Sequence, residues 1–163
     1  MVRTIYLMRH GKSIRGPEYK NDFERPLAER GKRDAVLMGE LVRQLGMIPD
    51  LIISSSAKRA LKTAKRAATA LKYKQDIESL KDLYLSGSQA YIEVLKRMDN
   101  SLKSVMLVGH NPDMEDLVQI LCDDVVTMPT SAVVRIDVEM DNWSDAGSVK
   151  GKLLLKATPR ALL

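Results

Sequence analysis

Val2-Arg3-Thr4-Ile5-Tyr6-Leu7-Met8-Arg9-His10-Gly11-Lys12-Ser13 is the stretch from which the rest of this chain can be read. Val2 to Met8 has the length and apolar character of a buried strand, and Arg9, His10 and Gly11 follow at its C-terminal end. Open α/β sheets keep their chemistry at that end of their strands. A cation, a nucleophile and a flexible backbone therefore meet at the expected place. Gly11-Lys12-Ser13 imitates the end of a P-loop, but the position required for its first glycine is Tyr6, so a nucleotide kinase is rejected.

The same alternation continues outward. Ile14 to Arg25 is charged, holds Gly16, Pro17, Asn21 and Asp22, has no helical or strand period, and reads as an active-site loop. From Leu27 to Leu45 the spacing of Ala35, Met38, Leu41, Val42 and Leu45 predicts a helix that ends at Gly46 and Pro49. Leu51 to Ile53 reads as a strand covered on both faces, followed by a helix with Ser56 as N-cap, Arg59 in its first turn, and Ala57, Ala60, Leu61, Ala64, Ala68 and Leu71 inward. A short third strand is expected in Gln75 to Leu80, then a loop and a helix capped by Ser88 with Tyr91, Val94, Leu95 and Met98 inward. Ser104 to Val108 is a clearer strand. It runs into Gly109-His110-Asn111-Pro112, where Asn111 suits an N-cap, Pro112 the first helical position, and Asp113, Glu115 and Asp116 the positive helix end. Val133 to Glu139 alternates with period two, and Gly151 to Ala157 supplies its partner in an edge hairpin.

This order predicts a three-layer α/β/α sandwich with a mostly parallel central sheet and a C-terminal edge hairpin, in a single domain over residues 1–163. The lone Cys122 permits no internal disulfide, and the short run before Arg9 suits neither a signal peptide nor a membrane span, so a cytoplasmic protein is expected. A formal charge of +5 raises the question of nucleic acid, yet Lys and Arg are spread along helical outer faces and few aromatics are available to stack on bases. An anionic substrate fits better.

Both histidines of the chain, His10 and His110, fall at strand ends, as does the helix start carrying Arg59. Guanidinium forks from Arg9 and Arg59 suit the peripheral oxygens of a phosphoryl group. A neutral His10 can attack phosphorus in line if its other ring nitrogen donates to a backbone carbonyl near Gly11. His110, as imidazolium, would donate to oxygens that gain charge in the transition state. Such a set requires no metal or cofactor. No His, Cys or Asp spacing suggests a zinc cluster, and a serine triad lacks its elbow.

Arg9-His10-Gly11 after a strand, Ser54-Ser55-Ser56 with Arg59-Ala60 and Thr63-Ala64, and Gly109-His110-Asn111-Pro112 together resemble the histidine phosphatase superfamily. Asp22, Arg25-Pro26-Leu27, Arg30-Gly31 and Trp143 in a late hairpin look more narrowly like its SixA-type phosphohistidine phosphatases. The resemblance implies a phosphoglycerate mutase-like fold, with His10 as phosphate acceptor, Arg9 and Arg59 as phosphate ligands and His110 completing the pocket. Gly11 and Ser13 join the substrate-binding set, while Lys12 and Arg25 are candidates for its rim. Larger relatives place a glutamate after the third strand as general acid; here Leu80-Lys81-Asp82-Leu83-Tyr84 offers only Asp82. Weak acid provision suits a phosphorus–nitrogen bond, because protonated imidazole leaves more readily than an alkoxide. The first expectation is thus a metal-independent phosphatase acting on phosphohistidine in proteins, without nucleic-acid or membrane partners. The alternatives are a broader phosphomonoesterase acting on small phosphoesters with Asp82 as acid, and a catalytically weak phosphate-binding module.

Overall fold

The structure, a computed structural model, describes residues 1–19 and 21–162. Its strands are β1 (Val2–Arg9), β2 (Leu51–Ser55), β3 (Glu78–Leu80), β4 (Ser104–Gly109), β5 (Val133–Glu139) and β6 (Lys152–Ala157), joined in one sheet of order β3-β2-β4-β1-β5-β6. β3, β2, β4 and β1 are mutually parallel, and β5 and β6 close the sheet as an antiparallel hairpin. With helices packed on both faces of this sheet, the fold is the three-layer, mostly parallel α/β/α arrangement with a C-terminal edge hairpin that the sequence predicts.

The alternation of side chains along β1 builds both halves of the core. Ile5 and Leu7 face the layer of α3 (Ser88–Lys96) and α4 (Asp113–Cys122), around Tyr91, Leu117 and Trp143. Tyr6 and Met8 face α1 (Glu29–Gln44) and α2 (Lys58–Leu71), where Ala35, Met38, Ala60 and Ala64 pack. Steps from β1 to β2 and from β2 to β3 travel one way across the sheet and put α1 and α2 on one side. The step from β3 to β4 reverses direction, so a right-handed crossover carries α3 to the other. A strand covered on both faces reads as an unbroken apolar run, which is why β1, β2 and β4 were legible.

Helix ends differ from the sequence reading in several places. α1 starts at Glu29, because Leu27 pairs with Ser13 in an isolated bridge, and Leu45 is about half exposed beyond the last helical turn. The C-terminus of α1 is as expected: Gly46 adopts φ +71°, and Met47 N donates to Val42 O across it at 3.1 Å. Ser56 does not cap α2. The free backbone N–H of Ala57 is met instead by Ser55 Oγ at 3.2 Å, while Ser56 Oγ pairs with Ser79 Oγ. Ser88 opens α3 without a side-chain cap; Gly87 precedes it at φ +92°, and its N–H is taken by Asp113 Oδ2 at 3.2 Å. Asn111 is not the cap of α4. Pro112 stands at that position, and the Asn111 amide donates to Met128 O (2.9 Å) and Glu115 Oε2 (3.1 Å), tying the strand end to the 128–130 loop.

Two glycines let the turn after β1 sit directly on the start of α1. A Cβ on Gly11 would stand 2.9 Å from Gly31 O, and one on Gly31 would stand 2.2 Å from Lys12 O. Gly31→Ala therefore has to push the turn carrying His10 off the helix. An expected loss of about 1–3 kcal/mol of unfolding free energy, typical of overpacking, is measurable by urea denaturation.

Candidate active site

β1 and β4 pair in register up to Arg9 opposite Gly109, so His10 and His110 follow side by side. Their ring centroids are 5.2 Å apart, and both residues are buried. His10 N donates to Gly109 O at 3.0 Å, which extends the ladder one residue past the strand.

The His10 ring is oriented by backbone. Nδ1 lies 2.8 Å from Gly11 O, and a carbonyl can only accept, so Nδ1 carries the proton and Nε2 presents its lone pair. Arg59 Nε approaches that nitrogen at 3.4 Å. Burial, opposed in part by the Gly11 carbonyl and reinforced by His110, Arg59 and Arg9, lowers the His10 pKa to about 3. The orientation expected from the sequence is the one observed, and its support comes from Thr63. The Thr63 hydroxyl accepts from Gly11 N (2.9 Å) and donates to Arg59 O (2.7 Å), so a single side chain clamps the histidine turn to the turn bearing the arginine.

His110 differs from the expectation. Burial lowers its pKa to about 4, with Arg59 and Arg9 acting in the same direction and Asp22 opposing them, which favours a neutral imidazole over an imidazolium. Nε2 pairs with Ser55 Oγ at 2.8 Å, and the edge of Tyr84 packs on the ring at 5.6 Å between centroids. Its Nδ1 and Arg9 Nε are both buried without a protein partner among the described residues. Arg9 is held by one bond, Nη1 to Met128 O at 3.0 Å.

These groups line a pocket of about 300 Å³. Arg9, Lys12, Arg15, Arg25 and Arg59 supply five cationic side chains to its wall, against a single carboxylate, Asp22. Asp22 is closely held: Oδ1 accepts from Arg25 Nη1 (2.7 Å), and Oδ2 accepts from Tyr84 OH (2.6 Å) and Arg59 Nη2 (3.0 Å). Its backbone carbonyl takes Arg59 Nη1 at 2.7 Å. Burial acts to raise its pKa, but the hydrogen bonds from Tyr84, Arg25 and Arg59 outweigh that and hold the carboxyl well below the usual carboxylate range.

Arg9, His10, Arg59, His110 and Ser13 thus converge on one pocket. Ser13 meets it through an Oγ that accepts from Arg25 Nη2. Gly11 stands behind the wall, its N–H and carbonyl both engaged in holding the turn. The loop read as Ile14 to Arg25 reaches the pocket through Arg15, Asp22 and Arg25; Lys20 lies outside the described residues. Asp82 does not line the pocket and is exposed on the single helical turn Lys81–Leu83. Sequence reasoning gave no individual role to Asp22, Tyr84, Ser55 or Thr63. Ser55 and Thr63 lay within recognisable motifs, whereas Tyr84 carried no local signal.

Neutral His10, its Nε2 lone pair turned towards the buried Arg59 and the partly buried Arg9, can attack a tetrahedral oxyanion. Among the described residues no three His, Cys, Asp or Glu side chains gather to hold a metal ion, and no helix is long and apolar enough to cross a membrane.

Comparison with known proteins agrees with this geometry. The sequence profile of the histidine phosphatase superfamily (branch 1) matches residues 5–86. An uncharacterized protein of Mycobacterium tuberculosis is 31% identical, covering 85% of this chain and 90% of its own. A protein of Agrobacterium tumefaciens assigned as the phosphohistidine phosphatase SixA superimposes with a TM-score of 0.83 at 27% identity, over 96% of this chain and 98% of its own. The protein histidine phosphatase SixA complexed with tungstate shares the fold, with a TM-score of 0.84 at 23% identity over 98% of this chain and 99% of its own.

Both histidines bind a proton more readily once released from burial, since an unfolded histidine has a pKa of about 6.5. The unfolded chain therefore takes up more protons than the folded one as pH falls from about 6.5 towards 4, and stability falls with it. Unfolding free energies measured across that window should decline by up to about 1.4 kcal/mol per pH unit for each histidine. Replacing His10 and His110 by Asn should flatten the decline.

Proposed function

Because this chain belongs to branch 1 of the histidine phosphatase superfamily, we propose that it is a phosphatase with His10 as nucleophile and phosphohistidine in another protein as its substrate. The observation that carries the choice of substrate is the state of Asp22. A phosphoester loses an alkoxide and benefits from a protonated acid at the leaving oxygen. The pocket's one carboxylate is held ionised by Arg25, Arg59 and Tyr84, and Asp82, the acid that a broader phosphomonoesterase would use, is not on the pocket wall. An ionised carboxylate is instead an acceptor. It favours a substrate imidazole that keeps a proton on its second nitrogen, and such a ring departs as neutral imidazole.

The reaction then balances without an external acid. His10 Nε2 forms a bond to phosphorus as the substrate's phosphorus–nitrogen bond breaks, with Arg9, Arg59 and His110 around the phosphoryl oxygens. The His10 Nδ1–H stays on the Gly11 carbonyl, so phospho-His10 is itself a protonated phosphoimidazole. Water attacks that phosphorus, the bond from phosphorus to Nε2 breaks to return His10 as a neutral ring, and both protons of the water leave with the phosphate as dihydrogen phosphate. The charge of a bound phosphoryl group favours protonation of His110, which then donates to its oxygens.

A phosphorylated histidine-containing protein, phosphoserine and p-nitrophenyl phosphate, each offered with chelator present, separate these readings. His10→Ala should lose turnover of all of them by on the order of a thousandfold or more. A base-stable, acid-labile phosphoenzyme should accumulate only with the wild type. Asp22→Asn should lower kcat/KM for phosphohistidine by on the order of tenfold, while p-nitrophenyl phosphate, whose leaving group needs no proton, changes little. Equal loss on both substrates would assign Asp22 to positioning of Arg59 alone. Turnover of phosphoserine matching that of phosphohistidine would favour the broader phosphomonoesterase.

A further inference from the structure

We propose that the groove between the first turns of α1 and the short helix α5 (Pro159–Leu162) seats the protein that carries the phosphohistidine, and that this partner presents an apolar ridge edged with carboxylates. The inference rests on the phosphatase reading above and gives it a docking surface.

Size comes first. The catalytic pocket, at about 300 Å³, takes a phosphoryl group and a ring, so most of a protein substrate must lie on the surface beside it. The adjoining groove is larger, about 810 Å³, and Thr130 lines both cavities. This continuity follows from the fold. Ala28 N bonds to Lys12 O at 2.8 Å, which plants the start of α1 against the histidine turn, and α5 leans on the same helix after β6.

The groove wall has the chemistry of a protein contact. Arg30, Arg33 and Leu37 recur at i, i+3 and i+7, a stripe on α1 distinct from the buried one of Ala35, Met38 and Val42. The partly exposed Val36 and Leu37 supply apolar surface. Arg30, Arg33 and Arg160 supply the charged edge. Of the two acids present, Asp34 is buried 3.8 Å from Arg30, which leaves two arginines, Arg33 and Arg160, against one further acid, Glu40. The balance is positive, so carboxylates on the partner are complementary. No aromatic ring lines the groove on which a nucleic-acid base would stack, so a protein fits it better.

The test compares a protein phosphorylated on one histidine by phosphoramidate with free phosphohistidine, using wild type, Arg33→Glu/Arg160→Glu and Leu37→Asp. Both variants should lose about tenfold or more in kcat/KM on the phosphoprotein, mostly through KM, and stay within about twofold of wild type on free phosphohistidine, which also reports folding. Raising salt to about 0.3 M should weaken the wild type on the phosphoprotein and hardly affect the charge-reversed variant. Equal changes on both substrates, or none on either, overturn the groove. A second measurement does not need turnover: amide shifts of 15N-labelled His10→Ala protein on adding the phosphoprotein. Shifts at Val36, Leu37 and Thr158 support the groove, and their absence overturns it. Wild type that releases no phosphate from either substrate defeats the phosphatase reading, while the amide shifts still decide the groove.

Discussion

Parallel pairing of β1 with β4 runs in register to Arg9 opposite Gly109, and the next residue on each strand is a histidine. The site depends on that pairing. Both strands are buried on both faces, so a slip of one residue would exchange the two halves of the core, and the core therefore enforces the alignment of the histidine pair. β2 lies on the other side of β4, and its end delivers Ser55 to His110 and, in the first turn of α2, Arg59 to His10. Rings placed by a sheet this way need little help from loops to stay in position.

Burial that aligns the imidazoles also sets their charge. Removing them from water and surrounding them with arginines disfavours the cationic form, so both are neutral at physiological pH. For His10 this preserves the lone pair that a nucleophile needs, and the Gly11 carbonyl decides which nitrogen bears it. The arginines remain charged and need an anion. Asp22 meets that need, with Arg59 spanning both its backbone carbonyl and its carboxylate, so a phosphate bound as proposed would compete with an internal anion for the same guanidinium.

The opposite end of β1 is built for stability. Arg3 is buried without a carboxylate partner among the described residues; it donates instead to the carbonyls of Asn100, Leu102, Met140 and Asp141 and packs 5.5 Å from the centre of the Trp143 ring. Trp143 Nε1 in turn donates to Leu102 O at 2.8 Å. These bonds pin the connection between β5 and β6 to the loop entering β4, so the hairpin closes the sheet at the end away from the chemistry. Fixed carbonyl dipoles satisfy the guanidinium without adding a second charge that would have to be desolvated.

Much of this was legible in the chain because it is encoded locally. Unbroken apolar runs mark strands covered on both faces, helical spacing marks the layers, Gly46 marks a helix end, and residues just past strand ends mark where chemistry collects. Arg9, His10, Arg59 and His110 could be named on those grounds. Tertiary structure decided what depends on contacts between distant segments. Ser55 serves α2 and His110 rather than leaving the cap to Ser56, Asn111 ties down the 128–130 loop instead of capping α4, and Thr63 reaches 52 positions back to Gly11 to lock the histidine turn to the one bearing Arg59. It also decided charge. Whether a histidine is neutral or a carboxylate stays ionised depends on burial and on which donors surround it, as His110 and Asp22 show. The physical reason is one of range: hydrophobic period and backbone preference act over a few neighbouring residues, whereas desolvation and hydrogen-bond partnership are fixed only when remote segments exclude water from the same space.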